Sequence, residues 1–376
     1  MRKAAFIYSR ELEKYGYPPE HPFNTIRPKS VRAIAHYMGL LSGGGRSEVA
    51  PVPAERMVLK KFHTARYLHA LRKAHPRHWD AEAFDMGIGT SDCPVFSKLY
   101  DYVVLASGAT LVGAKLILSG SADVAFNPSG GFHHAGPERA SGFCYINDVA
   151  LACTVLAEAG KRVLYLDVDV HHGDGVAYAF YERSDVMTIS LHENPKVLFP
   201  GTGFENEIGK GKGKGYCVNV PLPIGTYDQA YMNAFNAIAR PIIEAFKSDV
   251  IVIQLGADAL SGDPLAHLYL TNNVYADILS YLLSLGTPIL ATGGGGYNVS
   301  NTIRAWALAW CVLCGADSED AAQSGAGAVG FGIKKKPGGL RDSPLPVSAQ
   351  QRDTVTRKIE TTIEAVKANV FGIHGL

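Results

Sequence analysis

The sequence predicts an α/β fold with a mainly parallel central sheet and helices on both faces. Two observations carry this. Several short runs are apolar throughout rather than alternately, as strands covered on both faces require. Between them lie segments of helical periodicity, so strand and helix alternate along the chain. The 376 residues, 47% hydrophobic and 19% charged, suffice for a sizeable core.

The predicted strands, in order, are AAFIY, ADVAFN, RVLYLDVDV, DVMTISLH, CVNVPLP, DVIVIQLGAD and TPILATGGGG, each bounded by Gly, Pro or polar residues. Helices are predicted over LASGATLVGAKLILSG, INDVALACTVLAEAG, YMNAFNAIARPIIEAF and AWALAWCVLCG. Residues 1–315, which hold these elements, are expected to form one domain. Residues 316–348, rich in Gly, Ala, Ser and Pro, read as an irregular linker or surface wrap. Residues 349–376 read as an amphipathic C-terminal helix packed on the same domain. The run Lys334 to Lys336 reads as solvated loop. EIGKGKGKGY lacks the phosphate-loop spacing and leads into a strand, so a flexible loop is expected there.

Net charge is +1, which favours neither nucleic acid nor an acidic membrane surface as a partner. The N-terminal apolar run is too short for a secretory core, and no segment approaches the roughly 18 apolar residues that span a bilayer. A cytoplasmic location is expected, and the six cysteines should be reduced. Cys311 and Cys314 form a C-x-x-C inside an apolar helix, where packing is favoured over a redox or zinc role.

In open α/β sheets, ligands bind beyond the carboxyl ends of the strands. Four predicted strands end in residues suited to one polar site. ADVAFN leads to His133 and His134, RVLYL to the cluster DVDVHHGDG, DVIVIQLG to Asp258, and TPILATGGGG to Tyr297. In an extended segment Asp167, Asp169 and His171 share one side, with Val168 and Val170 on the other. Asp169 and His171, completed by Asp258, would bind one cation and leave a position open for water or substrate. This donor set is harder than the usual zinc sets and also suits Fe²⁺ or Mn²⁺. The bland alternative is a solvated turn in which Asp174 caps the next helix, and capping does not exclude a catalytic role. His133 and His134 suit proton transfer, with Asp167 and Asp174 as carboxylates that could orient them. Tyr297, after four glycines, could donate to a polarised carbonyl oxygen, the alternative being plain aromatic packing.

Five long motifs, GGFHHAGPERASGFCYIND, LYLDVDVHHGDGV, MTISLHENPKVLFPGTG, LGADALSGDP and GGGGYNVSNTIRAW, occur in one order, with HPFN, FHTARYLHAL and SDCPVF before them. Together they resemble the zinc-dependent histone deacetylase family. They are particularly similar to compact bacterial histone-deacetylase-like amidohydrolases and acetoin utilisation proteins. The resemblance implies an arginase-like fold and hydrolysis of the acetyl-lysine side-chain amide in a protein or peptide. The alternative substrates are acetylpolyamines or other small acetyl-amines, against which the apolar Leu265 argues.

By the same resemblance Zn²⁺ falls on Asp169, His171 and Asp258. His134, backed by Asp174, becomes the general base and then acid, and His133, backed by Asp167, its electrostatic assistant. Tyr297 would polarise the carbonyl. Phe143 and Phe199 would line the lysine channel, Gly142 would accept from the amide, and Asp92 and Leu265 would stand at the rim. K⁺ is implied at two places, one around Asp167, Asp169, His171, Ser190 and Leu191, the other on carbonyls of Phe180, Arg183, Val186 and Tyr216. The family's arginine near an acetate exit aligns with Ser30, Arg27 and Arg32 being possible substitutes. A ureohydrolase with two Mn²⁺ ions would need more carboxylate ligands and no Tyr297. A non-catalytic acyl-lysine binder would not need the full set of His133, His134, Asp258 and Tyr297.

Overall fold

The computed structural model describes residues 2–78, 80–316 and 339–376. Among these, eight parallel strands form one sheet: β1 (Ala4–Ile7), β2 (Arg46–Val49), β3 (Val124–Asn127), β4 (Val163–Asp167), β5 (Val186–Glu193), β6 (Cys217–Leu222), β7 (Val250–Gln254) and β8 (Ile289–Thr292). Their order across the sheet is β2-β1-β3-β8-β7-β4-β5-β6. All seven predicted runs are strands, and the all-parallel sheet with covered faces is the predicted class.

The unbroken apolar runs follow from burial on both faces. In β4, Leu164 and Leu166 point into a core shared with the helices Ile26–Tyr37, Asn273–Ser284 and Val299–Leu313. Val163 and Tyr165 point the other way, toward Leu99–Leu118 and Asp148–Glu158. Each such aliphatic side chain, fully buried, contributes roughly 1.5–3 kcal/mol.

Sequence reading missed β2, RSEV, because it pairs only with β1 at the sheet edge and stays largely solvated. Its polar residues suit an edge strand, where charge discourages further pairing. Glu48 accepts two hydrogen bonds from Arg32 there, at 2.6 and 2.9 Å.

Two other expectations need correction. The helix Leu99–Leu118 is long and apolar enough to cross a membrane by length and composition, with a mean hydropathy of 1.5. It packs instead inside the protein, with 72% of that window buried. The helix predicted over 231–246 is interrupted: Asp228–Ala234 passes through a π-helical turn, Phe235–Ala239, before Arg240–Phe246. Pro241 has no N–H for the carbonyl one turn back, and the wider turn absorbs that defect.

The run Lys334 to Lys336 and most of the predicted linker lie outside the described residues. Just beyond, Leu340 is buried and its carbonyl accepts from Asn272 Nδ2, while Asp342 pairs with Arg304. The helix Ala349–His374 follows and inserts Val355, Ile359, Val366 and Val370 into the core beside β6. The GKGKG loop is a turn fixed by Lys210 N–H on the Tyr181 carbonyl, at 2.7 Å.

Candidate active site

Strands β3, β8, β7 and β4 are consecutive neighbours in the sheet, so the loops leaving their carboxyl ends meet. This adjacency brings together His133 and His134 after β3, Asp167 to Asp174 at β4, Asp258 after β7 and Tyr297 after β8.

The β4 strand ends at Asp167, and the chain then bends rather than running on extended. Asp167 Oδ1 accepts from Asp169 N–H and Asp169 Oδ1 accepts from His171 N–H, each at 3.0 Å. These successive bends keep the alternation that the sequence implied: Val168 and Val170 enter the core, while Asp169 and His171 face Asp258. His171 Nδ1 lies 3.2 Å from Asp169 Oδ1 and 3.1 Å from Asp258 Oδ2. The ligand atoms of the three residues fall within 4.8 Å of one another, all buried. His172 turns away toward Thr202 Oγ1 at 2.9 Å, as expected for its position.

The donor set fits a divalent cation on physical grounds. Burial and the neighbouring Asp169 charge push the Asp258 carboxyl up to about 7. Burial opposes a charged His171, yet its hydrogen bonding to both carboxylates outweighs it and raises that ring to about 10. His171 and Asp258, crowded against the Asp169 carboxylate in one dry place, thus hold on to protons, while Asp169 stays ionised, and a bound cation would replace those protons. The surrounding glycines make room. A Cβ on Gly256 would stand 1.9 Å from Asp169 Oδ2, and one on Gly295 1.9 Å from Asp258 Oδ2.

His133 Nδ1 is 2.8 Å from Asp167 Oδ2, and His134 Nδ1 is 2.7 Å from Asp174 Oδ1. Burial works against a charged His133, but the charges of Asp167 and Asp169 prevail and lift it to about 9. For His134, burial and the neighbouring His133 charge outweigh Asp174 and depress it to about 4. One ring therefore holds its proton at neutral pH while the other is free to accept one. Burial, reinforced by Asp258 and Asp169, pushes the Tyr297 phenol well above its usual range, so it stays a donor.

All five residues expected around the substrate line one cleft of about 290 Å³: Asp92, Gly142, Phe143, Phe199 and Leu265, joined by His134, His171 and Tyr297. Phe143 packs edge-on to Tyr297 at 5.5 Å between centroids, and Phe199 edge-on to His134 at 5.0 Å. Gly142 and Phe143 both take left-handed backbone, at φ 56° and 66°. That is costly for a bulky residue, so the turn must be held from outside. Asp92 Oδ2 accepts from Gly142 N–H at 2.7 Å, and Tyr17 donates to the Phe143 carbonyl at 2.7 Å.

Of the inner monovalent set, Ser190 stands in register with Asp167 on β5, Leu191 follows it, and Ser190 Oγ contacts His192 Nδ1 at 2.8 Å. In the outer set the Phe180 carbonyl accepts from Arg183 N–H, and the Tyr216 carbonyl accepts from Thr188 N–H. Val186 opens β5 close by.

Several positioning residues escaped the sequence reading. Asn147 Nδ2 donates to the His133 and Ala135 carbonyls, and Asp148 accepts from Gly131 and Phe132 N–H, so this pair fixes the histidine loop. Asp263 Oδ2 accepts from Tyr297 N–H at 2.7 Å. Leu198 is a further cleft residue. Of the three positions considered for the family's arginine, Arg27 reaches the glycine loop. Buried between Phe23 and Trp306, it donates to the carbonyls of Gly294 at 3.1 Å and Gly296 at 2.8 Å. Cys311 and Cys314 are free and buried in the core, as packing predicts.

Residues 21–313 match the family described as histone deacetylase domain. Histone deacetylase 3 of Oryza sativa is 38% identical over 85% of this chain and 63% of its own length. Histone deacetylase RPD3 of Saccharomyces cerevisiae is 38% identical over 81% of this chain and 70% of its own length. The acetoin utilization protein AcuC of Bacillus subtilis is 40% identical over 84% of each chain. The chain spans less than two thirds of the rice relatives' length. The crystal structure of an HDAC homolog complexed with SAHA superposes with a TM-score of 0.86 at 32% identity, covering 97% of this chain and all of that one. An HDAC homolog from Aquifex aeolicus gives 0.85. With the family match over most of the sequence and the same fold throughout, this chain belongs to the histone deacetylase family.

Proposed function

We propose that this chain hydrolyses the side-chain amide of N-acetyl-lysine in proteins or peptides and releases acetate. The observation that carries this reading is one cleft lined by His171 of the three-residue cation site, by His134 and by Tyr297, with the oppositely tuned His133 packed against His134. A cation on Asp169, His171 and Asp258, for which we assign Zn²⁺ with Fe²⁺ as the alternative, would polarise the amide carbonyl and make an adjacent water more acidic.

The protein's own groups do the rest. The lysine stem runs between the Phe143 and Phe199 rings, the Gly142 carbonyl accepts from the amide N–H, and Asp92 and Leu265 hold the rim. His134, neutral, takes a proton from the attacking water as the new C–O bond forms. Tyr297 O–H donates to the carbonyl oxygen as negative charge builds there. His133, protonated against Asp167, adds fixed positive charge beside it. His134 then passes its proton to the departing lysine nitrogen as the C–N bond breaks.

We further assign K⁺ to the carbonyls and side chains at Asp167, Asp169, His171, Ser190 and Leu191, and to Phe180, Arg183, Val186 and Tyr216. We read residues 1–315 as the catalytic domain, with the C-terminal helix as its cover. A reducing, cytoplasmic setting suits six buried, unpaired cysteines. The test is a panel of acyl-lysine peptides and acetylspermidine, with zinc quantified and a hydroxamate chelator as control. Chelator-sensitive turnover of acetyl-lysine is expected. A strong preference for acetylspermidine would overturn the substrate assignment.

A further inference from the structure

The segment that brings Leu265 to the cleft is pinned at both ends by carboxyl groups. At its start, Asp263 Oδ1 accepts from Leu265 N–H at 3.0 Å, while Asp263 Oδ2 accepts from the backbone N–H of Tyr297 and Asn298. At its far end, both oxygens of Glu193 serve His267. One accepts from the backbone N–H and the other faces Nδ1, each at 2.8 Å. Glu193 closes β5 with its side chain completely buried, whereas the His267 side chain is 55% exposed.

Glu193 is also tied to the cation site through the backbone. Its N–H donates to the Val170 carbonyl at 2.9 Å, and Val170 N–H donates to Asp258 Oδ1 at 2.9 Å. A continuous hydrogen-bonded route thus runs from Asp258 through Val170 and Glu193 to His267, and Leu265 stands between that anchor and the one on Tyr297. Burying a carboxyl is expensive unless its lone pairs are used, and here they are used on a single residue of the rim. A well-packed apolar pair would hold two segments together at lower cost. What the buried carboxyl adds is direction: two bonds to one residue fix both the backbone and the ring of His267.

We propose that Glu193 and His267 form a positioning pair that sets where Leu265 stands over the substrate cleft, and so controls how tightly the lysine stem is held. This rests on the acetyl-lysine reading above. Neither residue touches the reacting atoms, so the pair should act on substrate binding far more than on turnover.

The test compares wild type, His267→Ala, His267→Asn, Glu193→Gln and the double variant Glu193→Gln/His267→Ala, all full-length and zinc-loaded. KM and kcat are measured on one acetyl-lysine peptide. We expect His267→Ala to raise KM ~10-fold with kcat within about twofold, the upper size of one lost hydrogen bond. His267→Asn, whose Nδ2 stands where Nδ1 stood, should restore most of the affinity. The penalties in the double variant should be less than additive, because both changes act on the one contact at His267 Nδ1.

Unchanged KM in folded His267→Ala and Glu193→Gln would overturn the proposal. So would additive penalties, or a kcat that falls in step with zinc content. Should Glu193→Gln fail to fold, the half-exposed His267 variants decide alone. A wild type inert on acetyl-lysine would remove the substrate reading only. The pair would then be judged by the affinity of an alkyl-stem hydroxamate, expected ~10-fold weaker in His267→Ala, with equal affinities overturning it.

Discussion

His133 and His134 are neighbours in the chain with ring centroids 4.0 Å apart, yet their surroundings drive their proton affinities in opposite directions. Asp167 is sealed from solvent and faces His133 beside a second carboxylate, Asp169. His134 has one partner, Asp174, and a charged neighbour in His133. Two similar side chains become a fixed cation and a free base because of what stands behind them.

Replacing His134 with Ala should lower kcat by ~10²–10⁴, the usual range for losing a positioned base, with zinc content unchanged. Kinetics alongside metal analysis checks this. Loss of zinc in parallel would make His134 a ligand rather than a base.

The pH profile should carry both histidines. His134 must be neutral to act, and with its affinity pushed down to about 4 the acid limb lies well below neutral pH. His133 must be charged to help, so activity should fall as pH rises through about 9. Asp167→Asn removes a charge that raises His133, and the alkaline limb should therefore move to lower pH. A limb that stays in place would assign it to another group.

Tyr297→Phe should depress kcat by ~10²–10³ with little change in KM, because its hydrogen bond strengthens as charge develops on the carbonyl oxygen. A rise in KM with kcat intact would make Tyr297 a substrate-packing residue.

Much of the site was legible because its chemistry is local in sequence. Asp169 and His171 are two residues apart, and Asp258 and Tyr297 each follow a recognisable strand. What stayed hidden depends on contacts that no spacing reports. Glu193 and His267 are 74 residues apart, and Arg27 reaches Gly296 across 269. The edge strand β2 was lost because a polar tetrapeptide gains strand character only from its pairing with β1. The helix Leu99–Leu118 shows the converse: composition alone cannot distinguish a buried core helix from a membrane span, whereas its packing on β3 and β8 does.

Acid sensitivity of the fold should trace in part to a histidine outside the active site. His63 is buried, its ring stacks on Tyr67 at 5.3 Å, and its Nε2 accepts from Asn147 N–H at 3.0 Å. Burial pushes its affinity down to about 3, although nearby backbone carbonyls oppose this. In the unfolded chain the same ring takes a proton below roughly pH 6.5. Between those values the unfolded state binds a proton that the folded state refuses. Stability is therefore full above about 6.5 and declines as pH falls toward 3, by at most ~1.4 kcal/mol per pH unit from this residue. His63→Gln keeps an acceptor for Asn147 without titrating. Urea midpoints for the two proteins should converge as pH falls from 6.5 to 4.5, even if the variant starts less stable. Parallel curves would show that His63 does not set the slope. Because Asn147 also donates to the carbonyl of His133, a break at His63 would bear on the His133 loop as well.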